Sequence, residues 1–381
     1  MSTLYKNGKV YVSDEKRFVC GSVAVDGGVI TDVFFDDEIV GDFEEIIDLC
    51  GARIAPGLLD VHTHGRVGGD FCISDEDALS EMSDSYIRKG TTSVMATLAS
   101  APLEILYLQT DKIGKIAKNG ESAYVGIHLE GRYLNEKRRG AHARELLAAL
   151  DAEEVTPLVE KMKQAGYVHV SAALELDKGG EFTNAVIDSG ATLGLAHSDA
   201  TFTEGVNAFA HGARSLTHTY NAMSPFHHRD GGAVGAGLLT EGIWCELICD
   251  GFHVSPEAVR MAYALKGERI VLITDSMAAT DAPDGEYEIA GLPVTVRDGK
   301  ARTHDGAIAG STLTLIDGVK NFASFVGIPF DAAIWHATAA PALMIGAYGD
   351  VGSIEKGKKA NMIILDENNN VSGVIFRGVK I

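Results

Sequence analysis

Six residues of metal-binding type stand at or near the ends of short apolar runs. They are His62, His64, Glu130, His197, His218 and Asp275. Residues two apart in a strand face the same side, so His62 and His64 can point together. A lone histidine at such a position is usually a satisfied polar residue, and an aspartate there is often a helix cap. Six such residues at successive strand ends instead favour one or two divalent ions held by nitrogen and oxygen.

Eight apolar runs must position these residues. They are RIAPGLLDVHTH, TTSVMATLA, AYVGIHLE, YVHVSAALEL, ATLGLAH, RSLTHT, IWCELICDG and RIVLITD. Amphipathic stretches such as EDALSEMSDSYIRKG and PEAVRMAYALKG lie between several of them. Nearly continuous apolar strands that alternate with helices predict a parallel sheet covered by helices. Eight units predict an α/β fold, a (β/α)₈ TIM-like barrel whose strand ends converge on one rim. A doubly wound sheet is the alternative, but no G-x-G-x-x-G turn follows the first strand.

The two ends of the chain have a different pattern. Residues 1–54 and 348–381 alternate in short apolar runs separated by Gly-Gly and Asp-Gly steps, which is typical of strands and turns. We expect both ends to pair into one small β-sandwich domain, with residues 55–347 forming the barrel. The segments STLTLIDGVKNFASFVG and PFDAAIWHATAAPALMIG are expected to be helices outside the barrel.

Composition excludes several classes of partner. The net charge of −20 over 381 residues argues against nucleic acid and against an anionic membrane surface. No apolar run approaches the roughly 20 residues of a membrane helix, and the polar start lacks a signal peptide's apolar core, so we expect a cytoplasmic protein. The five cysteines are dispersed, which argues against a disulfide framework or a zinc ribbon. Cys245 and Cys249 lie in an apolar stretch and are expected in the core.

The arrangement of these residues resembles the amidohydrolase superfamily: D-x-H-x-H closing the first strand, single histidines at strands five and six, and an aspartate at strand eight. Longer motifs resemble the N-acetylglucosamine-6-phosphate deacetylases of that superfamily. They are HLEG, GAH, GLAHSDAT, LTHTYNAM, HHRDGGAVGAG, DGFH, LITDSMAA and AGSTLT, followed by GSIEKGKKANMIILD. The resemblance implies hydrolysis of N-acetylglucosamine 6-phosphate to glucosamine 6-phosphate and acetate, within amino-sugar metabolism.

The resemblance also implies the metal ligands. Many amidohydrolases use a carboxylated lysine from strand four, but YVHVSAALEL has none, and Glu130 matches the carboxylate ligand instead. His197 and His218 match ligands that the family shares. His62 and His64 vary within the family, and their presence here implies that two ions can bind. Zinc and iron suit these donors best, with manganese, cobalt and nickel as the other options.

Two residues match the catalytic groups of the family. A bound metal lowers the pKa of its water toward about 7. Asp275 would take a proton from this water and pass one to the departing amine. We expect Asp275 to be ionised, since a nearby cation favours the carboxylate. His142 matches a second electrophile that polarises the carbonyl.

Other positions match the family's substrate contacts. Asn221, Ala222 and His253 match sugar-phosphate contacts, and Arg229 offers a planar fork to the phosphate. In the family this arginine reaches the neighbouring subunit's site, which implies a homodimer. His227 and His228 lie beside it and are either further donors or neutral loop residues. A loop over the sugar is matched by Ile308, Ala309, Gly310 and Ser311.

Two arginines depart from the family pattern. Arg132 and Tyr133 follow HLEG where many relatives have proline and an aromatic residue. Arg132 either contacts the phosphate or faces solvent. Arg138 stands where some relatives have lysine and would serve the phosphate equally well.

Two further functions are weighed against this one. The first is an amidohydrolase acting on a cyclic amide, of the dihydroorotase or hydantoinase type; the lack of a strand-four lysine argues against it. The second is a non-catalytic homologue that only binds a sugar phosphate. That function would require the loss of a ligand or of the acid–base group, and all six positions are intact.

Overall fold

Five strands open the chain. The computed structural model describes residues 2–35, 38–289, 291–304 and 306–381. The first strands are β1 (Thr3–Val12), β2 (Arg17–Asp26), β3 (Val29–Phe34), β4 (Glu45–Asp48) and β5 (Arg53–Pro56). β1 pairs antiparallel with β2 and parallel with both β4 and β5. The boundary expected after residue 54 falls inside β5.

Eight parallel strands follow and form the barrel. The segment contains β6 (Leu58–Thr63), a rim hairpin of β7 (Gly65–Arg66) and β8 (Gly69–Asp70), β9 (Thr91–Leu98), β10 (Tyr124–Glu130), β11 (Tyr167–Ala172), β12 (Thr192–Leu195), β13 (Ser215–Leu216), β14 (Trp244–Ile248) and β15 (Ile270–Ile273). Apart from the hairpin, each strand pairs with the next along the chain. The first and last barrel strands meet just past β15, where the Asp275 N–H donates to the His62 carbonyl at 2.9 Å. The predicted barrel, with all eight strands in the predicted runs, is confirmed.

Helices cover the outside of the barrel. They are α1 (Glu76–Arg88), α2 (Leu103–Asn119), α3 (Ala152–Met162), α4 (Glu181–Asp188), α5 (Phe202–Ala210), α6 (Gly232–Leu239), α7 (Pro256–Lys266), α8 (Leu315–Val326), α9 (Phe330–Ile334) and α10 (Ala339–Ile345). Local chemistry sets several starts: the Asp75 side chain caps α1, and Ser255 caps α7 just before its first residue, Pro256. The strands' outward side chains and the helices' apolar faces share one core, in which Cys245 and Cys249 are buried as predicted.

Short 3₁₀ helices connect some of these elements. They span Glu136–Arg138, Arg144–Leu146, Lys163–Ala165, Leu174–Leu176, Gly267–Arg269 and Trp335–Ala337. Within the described ranges, no helix combines the length and apolar character needed to cross a bilayer.

Two groups of strands complete the fold. β16 (Gly285–Ile289), β17 (Leu292–Arg297) and β18 (Lys300–Thr303) form an antiparallel sheet inserted after the last barrel strand. β19 (Met362–Leu365), β20 (Val371–Phe376) and β21 (Val379–Lys380) return to the N-terminal strands. β19 pairs with β5, so both ends of the chain share one eight-stranded sheet, as expected from the sequence.

Candidate active site

The six residues singled out in the sequence meet at the carboxyl-terminal rim of the barrel in two groups. Within each group, one ligand atom per residue lies within 4.8 Å of the others. The first group is His62, His64 and Asp275, and the second is Glu130, His197 and His218. All except Asp275 are almost fully buried. The arrangement therefore brings together all six predicted ligands.

In the second group, three ligand atoms converge on one point. Glu130 Oε1 lies 2.9 Å from His218 Nε2 and 3.3 Å from His197 Nε2. The two Nε2 atoms are 3.0 Å apart. A second hydrogen bond fixes the His197 ring, because its Nδ1 lies 2.7 Å from the Arg138 carbonyl, which can only accept. His197 Nε2 is thus a lone-pair donor in the neutral ring, as a metal ligand requires.

Glu130 joins the two groups. Its other oxygen, Oε2, lies 2.9 Å from His64 Nε2 and 3.1 Å from His62 Nε2. Asp275 Oδ1 approaches the same two nitrogens, at 3.3 Å from His64 and 3.7 Å from His62. One carboxylate therefore presents one oxygen to each group.

The residues fit divalent metal ions. His62 Nε2 is buried and has no hydrogen-bond partner among the described residues, although it faces two carboxylates. Leaving such an atom unsatisfied is costly, and a cation between it and the carboxylates would satisfy it. Imidazole and carboxylate donors without sulfur are typical of zinc and of non-haem iron sites.

The backbone is unusual at three of the six positions. His197, His218 and Asp275 have φ values of 44°, 31° and 48°, in the left-handed region that residues other than glycine rarely adopt. Each lies two residues beyond its strand. Such residues cost on the order of 1–3 kcal/mol each and persist where neighbouring structure enforces them. Here the Asp275 carbonyl accepts from the Ser311 N–H at 2.7 Å.

Asp275 has the properties of a general base. Burial raises its pKa, but the electrostatic interaction with His62 and the hydrogen bond with His64 outweigh burial and lower the pKa of Asp275 to about 2. The carboxylate is therefore ionised at neutral pH, as predicted. It lines the cavity, with its side chain partly open to solvent.

His142 is held as a neutral hydrogen-bond donor. Its Nδ1 lies 3.4 Å from the Ser100 backbone N–H, which donates to it, and 2.9 Å from Ser100 Oγ. The Ser100 hydroxyl also accepts from the Arg132 N–H at 2.9 Å, which leaves its own proton for His142. The proton of the neutral imidazole must then lie on Nε2, 3.9 Å from Glu130 Oε2. Burial, with His197 adding to it, lowers the pKa of His142 to about 3.

A cavity of about 360 Å³ opens above these groups, a size that suits a small ligand. Asn221, Ala222 and His253 line it, as do Ile308 and Gly310 from the predicted loop. His253 is oriented by Asp250, whose Oδ2 lies 2.6 Å from His253 Nδ1.

Two cationic side chains, those of Arg138 and Lys137, lie at the cavity wall. Arg138 lines it and donates from Nε to Asp199 at 2.8 Å. Lys137, which belongs to none of the motifs quoted above, lines it too and contacts the same aspartate at 3.2 Å. One carboxylate thus pairs with two cations at this side of the cavity.

Several predicted substrate residues lie elsewhere. Arg132 does not line the cavity: its guanidinium pairs with Glu154 at 3.1–3.2 Å and donates to the Ala101 carbonyl. Ala309 and Ser311 are buried below the cavity wall, where the Ser311 hydroxyl donates to the Thr274 carbonyl.

Arg229 and His228 lie on a second, open cleft together with Phe226 and Leu239. None of these four residues lines the cavity above the metal ligands. Phe226 and Leu239 are 57% and 55% exposed, which is high for large apolar side chains. Within a single chain, Arg229 is therefore separate from the cavity.

One buried residue at the site was missed. Glu246 lies in β14 inside the barrel and is fully buried, with its Oε2 3.2 Å from His62 Nδ1. The composition of IWCELICDG predicts an apolar strand. A lone carboxylate in a strand expected to be buried on both faces was the available signal, because such a charge needs a partner.

The chain is similar to known proteins over nearly its whole length. A family model described as the amidohydrolase family matches residues 53–381. The N-acetylglucosamine-6-phosphate deacetylase of Vibrio furnissii is 35% identical over 339 residues, 88% of this chain and 84% of that protein. The N-acetylgalactosamine-6-phosphate deacetylase of Escherichia coli O157:H7 is 35% identical over 327 residues, 85% and 86% of the two chains. The crystal structure of the N-acetylglucosamine-6-phosphate deacetylase of Pasteurella multocida superposes with a TM-score of 0.93 at 29% identity, covering 100% of both chains.

Proposed function

This chain belongs to the amidohydrolase family, and we propose that it hydrolyses the acetamide of N-acetylglucosamine 6-phosphate to glucosamine 6-phosphate and acetate. The observation that supports this most is the shared cavity of two ligand groups joined by Glu130, an ionised Asp275 and a neutral His142. A linear acetamide needs an activated water, a polarised carbonyl and a proton for the amine, and these residues can supply each need.

The residues have separate roles in the reaction. A divalent ion held by the two groups would polarise the carbonyl and acidify the attacking water. The Asp275 carboxylate accepts a proton from the water as its oxygen bonds to the acetyl carbon. The His142 Nε2–H donates to the carbonyl oxygen as negative charge develops there. Asp275 then gives its proton to the sugar nitrogen as the C–N bond breaks, which releases acetate and the amine.

Two ions are proposed per chain, because each group offers three ligand atoms and Glu130 supplies an oxygen to each. Strand β11 contains no lysine that could be carboxylated, so Glu130, which has one oxygen toward each group, would be the carboxylate that helps to hold both ions. Zinc or iron is proposed on the donor set.

A galactosamine substrate is the second candidate. The N-acetylgalactosamine-6-phosphate deacetylase is as similar to this chain as the N-acetylglucosamine enzyme, and the two sugars differ only in the configuration at C4. Measuring acetate release from both 6-phosphates, with dihydroorotate as the cyclic-amide control, tests the assignment. We expect the larger kcat/KM for N-acetylglucosamine 6-phosphate. Hydrolysis of dihydroorotate alone would contradict the proposal, and the absence of any turnover would favour a binding-only protein.

We also propose a homodimer in which Arg229 binds the substrate phosphate in the partner's cavity. Two features support this: Arg229 does not line its own cavity, and its apolar neighbours Phe226 and Leu239 are exposed. Arg229→Ala should raise KM about 10- to 100-fold, because a charge-assisted hydrogen bond contributes about 1.5–3 kcal/mol.

A mixing experiment separates the two possible positions of Arg229. Inactive Asp275→Asn chains and Arg229→Ala chains are unfolded together, refolded and assayed at low substrate. If Arg229 acts across the dimer, mixed dimers contain one site with neither substitution and regain low-KM activity. If Arg229 serves its own chain, every site in a mixed dimer retains one of the two defects. Sedimentation equilibrium of the wild-type chain provides the oligomeric state.

A further inference from the structure

A carboxylate lies inside the barrel directly beneath the candidate metal ligands. Glu246, in β14, is fully buried. Its Oε2 lies 3.2 Å from His62 Nδ1 and also accepts from the His218 backbone N–H at 3.2 Å. Its Oε1 has no hydrogen-bond partner among the described residues. Burying such a group is costly unless its charge is used.

The contact determines how His62 presents its ring. Glu246 Oε2 accepts from the His218 N–H, so its contact with His62 Nδ1 is a bond that the ring donates, and the proton of the neutral imidazole lies on Nδ1. His62 Nε2 then carries the lone pair, and this is the atom that faces Glu130 and Asp275. A carboxylate that receives the second N–H of a ligand histidine fixes its tautomer and ring orientation and raises its basicity.

The two metal groups differ in this support. In the second group, a neutral backbone carbonyl, that of Arg138, orients His197. In the first group, Glu246 orients His62. The Nδ1 atoms of His64 and of the second-group His218 both lack a hydrogen-bond partner among the described residues. Glu246 therefore orients the ring of a first-group ligand, whereas its contact with the second group is only to the backbone N–H of His218, which a glutamine oxygen can also accept.

The charge of the metal site also favours a role for Glu246 in metal binding. Two divalent ions bring four positive charges, and only Glu130 and Asp275 among the six ligands are anionic. In a buried site this excess is poorly screened, so a third carboxylate close by favours binding of the second ion. We propose that Glu246 is a positioning residue that makes the first group competent to bind a metal, so that it controls whether one ion or two are held. This rests on the two-ion site of the proposed function.

The test uses metal binding rather than turnover. Metal-stripped full-length wild-type and Glu246→Gln proteins are titrated with Zn²⁺ against a competing chelator, and bound metal is measured by mass spectrometry. The wild type should bind two ions per chain. Glu246→Gln should bind the first ion with unchanged affinity and the second about 10- to 100-fold more weakly, the usual cost of losing such a partner.

The matched control is Glu160→Gln, the same substitution at an exposed carboxylate that pairs with Lys163 and contacts neither Glu246 nor a ligand. It should bind both ions as the wild type does. If Glu246→Gln does not fold, Glu246→Asp replaces it: the charge is kept but retracted from His62, so binding of the second ion should again weaken selectively.

Three other results would overturn the proposal, and a fourth would contradict only the substrate assignment. Equal affinity of Glu246→Gln and wild type for both ions would show that Glu246 has no such role. A parallel loss of both ions with a lower melting temperature would show a purely structural role. A wild-type chain that binds a single ion would remove the two-ion part of the proposed function and this inference with it. If Glu246→Gln selectively loses the second ion but the wild type releases no acetate, only the substrate assignment would be contradicted.

Discussion

The histidines at the rim of the barrel and those in its interior differ in what satisfies their ring nitrogens. His128 and His169 lie within β10 and β11, and hydroxyl groups surround both rings. His128 pairs with Thr97 at 3.3 Å and Ser171 at 2.8 Å, and His169 pairs with Thr192 at 2.8 Å and Ser215 at 3.4 Å.

At the rim, His62 Nε2 faces carboxylates with no hydrogen-bond partner in the described part of the chain. His197 and His218 point their Nε2 atoms at each other and at Glu130. Histidines in the barrel interior thus have both ring nitrogens hydrogen-bonded. Histidines at the rim direct nitrogen lone pairs toward one point. The surroundings of the ring nitrogens therefore distinguish a candidate metal ligand from a histidine that only packs.

The largest effect should come from Glu130→Gln, which alters the carboxylate that the rim histidines face. The substitution removes the charge shared by both groups, so both ions should be lost and kcat/KM should fall by about 10³-fold or more, because Lewis-acid catalysis contributes several kcal/mol. Metal analysis and acetate release measure this. Glu160→Gln, at an exposed carboxylate that pairs with Lys163, is the control. Full metal content in Glu130→Gln would contradict the assignment of this ligand.

Asp275→Asn should have the next largest effect. Without a carboxylate to move the proton, kcat should fall by about 10²–10⁴-fold, the usual contribution of general acid–base catalysis. The second group is untouched, so at least one ion should remain bound. Steady-state kinetics with metal analysis on the same sample check both points. A kcat near the wild-type value would rule out the proton-transfer role.

Ser100→Ala should have a smaller effect, confined to His142. Loss of one hydrogen bond of about 0.5–1.5 kcal/mol relaxes the tautomer that points Nε2–H at the carbonyl, so kcat should fall roughly two- to tenfold. KM and bound metal should stay constant. If KM rises while kcat does not change, Ser100 instead shapes the cavity.

His336→Gln should change stability but not activity, because His336 packs in the core and lies outside the candidate active site. His336 is buried with its Nδ1 2.8 Å from the Ile270 carbonyl, and burial lowers its pKa to about 4. The unfolded chain therefore binds more protons than the folded one between about pH 4 and 6.5, and the wild type loses stability as pH falls through that window, by up to about 3 kcal/mol.

The variant should show a shallower fall in unfolding free energy over the same range, with wild-type acetate release. Denaturant titrations at pH 7, 6 and 5 measure this difference. An identical pH dependence in both proteins would show that His336 does not titrate on unfolding.

The parts of the structure that follow from local patterns were predictable. Apolar strands ending in metal-type residues identified the rim, because barrel strand ends converge whatever the loops do. The helices and the joined termini followed from periodicity. The inserted sheet of β16–β18 was not foreseen, although Asp298-Gly299 is a hairpin signal between β17 and β18.

Residues that depend on tertiary partners could not be assigned in advance. Arg132 matched a position near the substrate, yet Glu154 from α3 draws its guanidinium away from the cavity. Ser100 can hydrogen-bond His142 only because the chain folds the loop that carries His142 over it. Glu246 gains its role from strand register, which places its carboxylate beneath His62.

We propose above all that the rim groups hold metal ions that enable hydrolysis of a phosphorylated N-acetyl sugar. The most direct measurement is acetate release from N-acetylglucosamine 6-phosphate while metal-stripped protein is titrated with Zn²⁺. The stripped protein should be inactive, and activity should rise with bound metal and level off at no more than two ions per chain. Acetate release by fully stripped protein, or none with any divalent ion at any occupancy, would contradict the account.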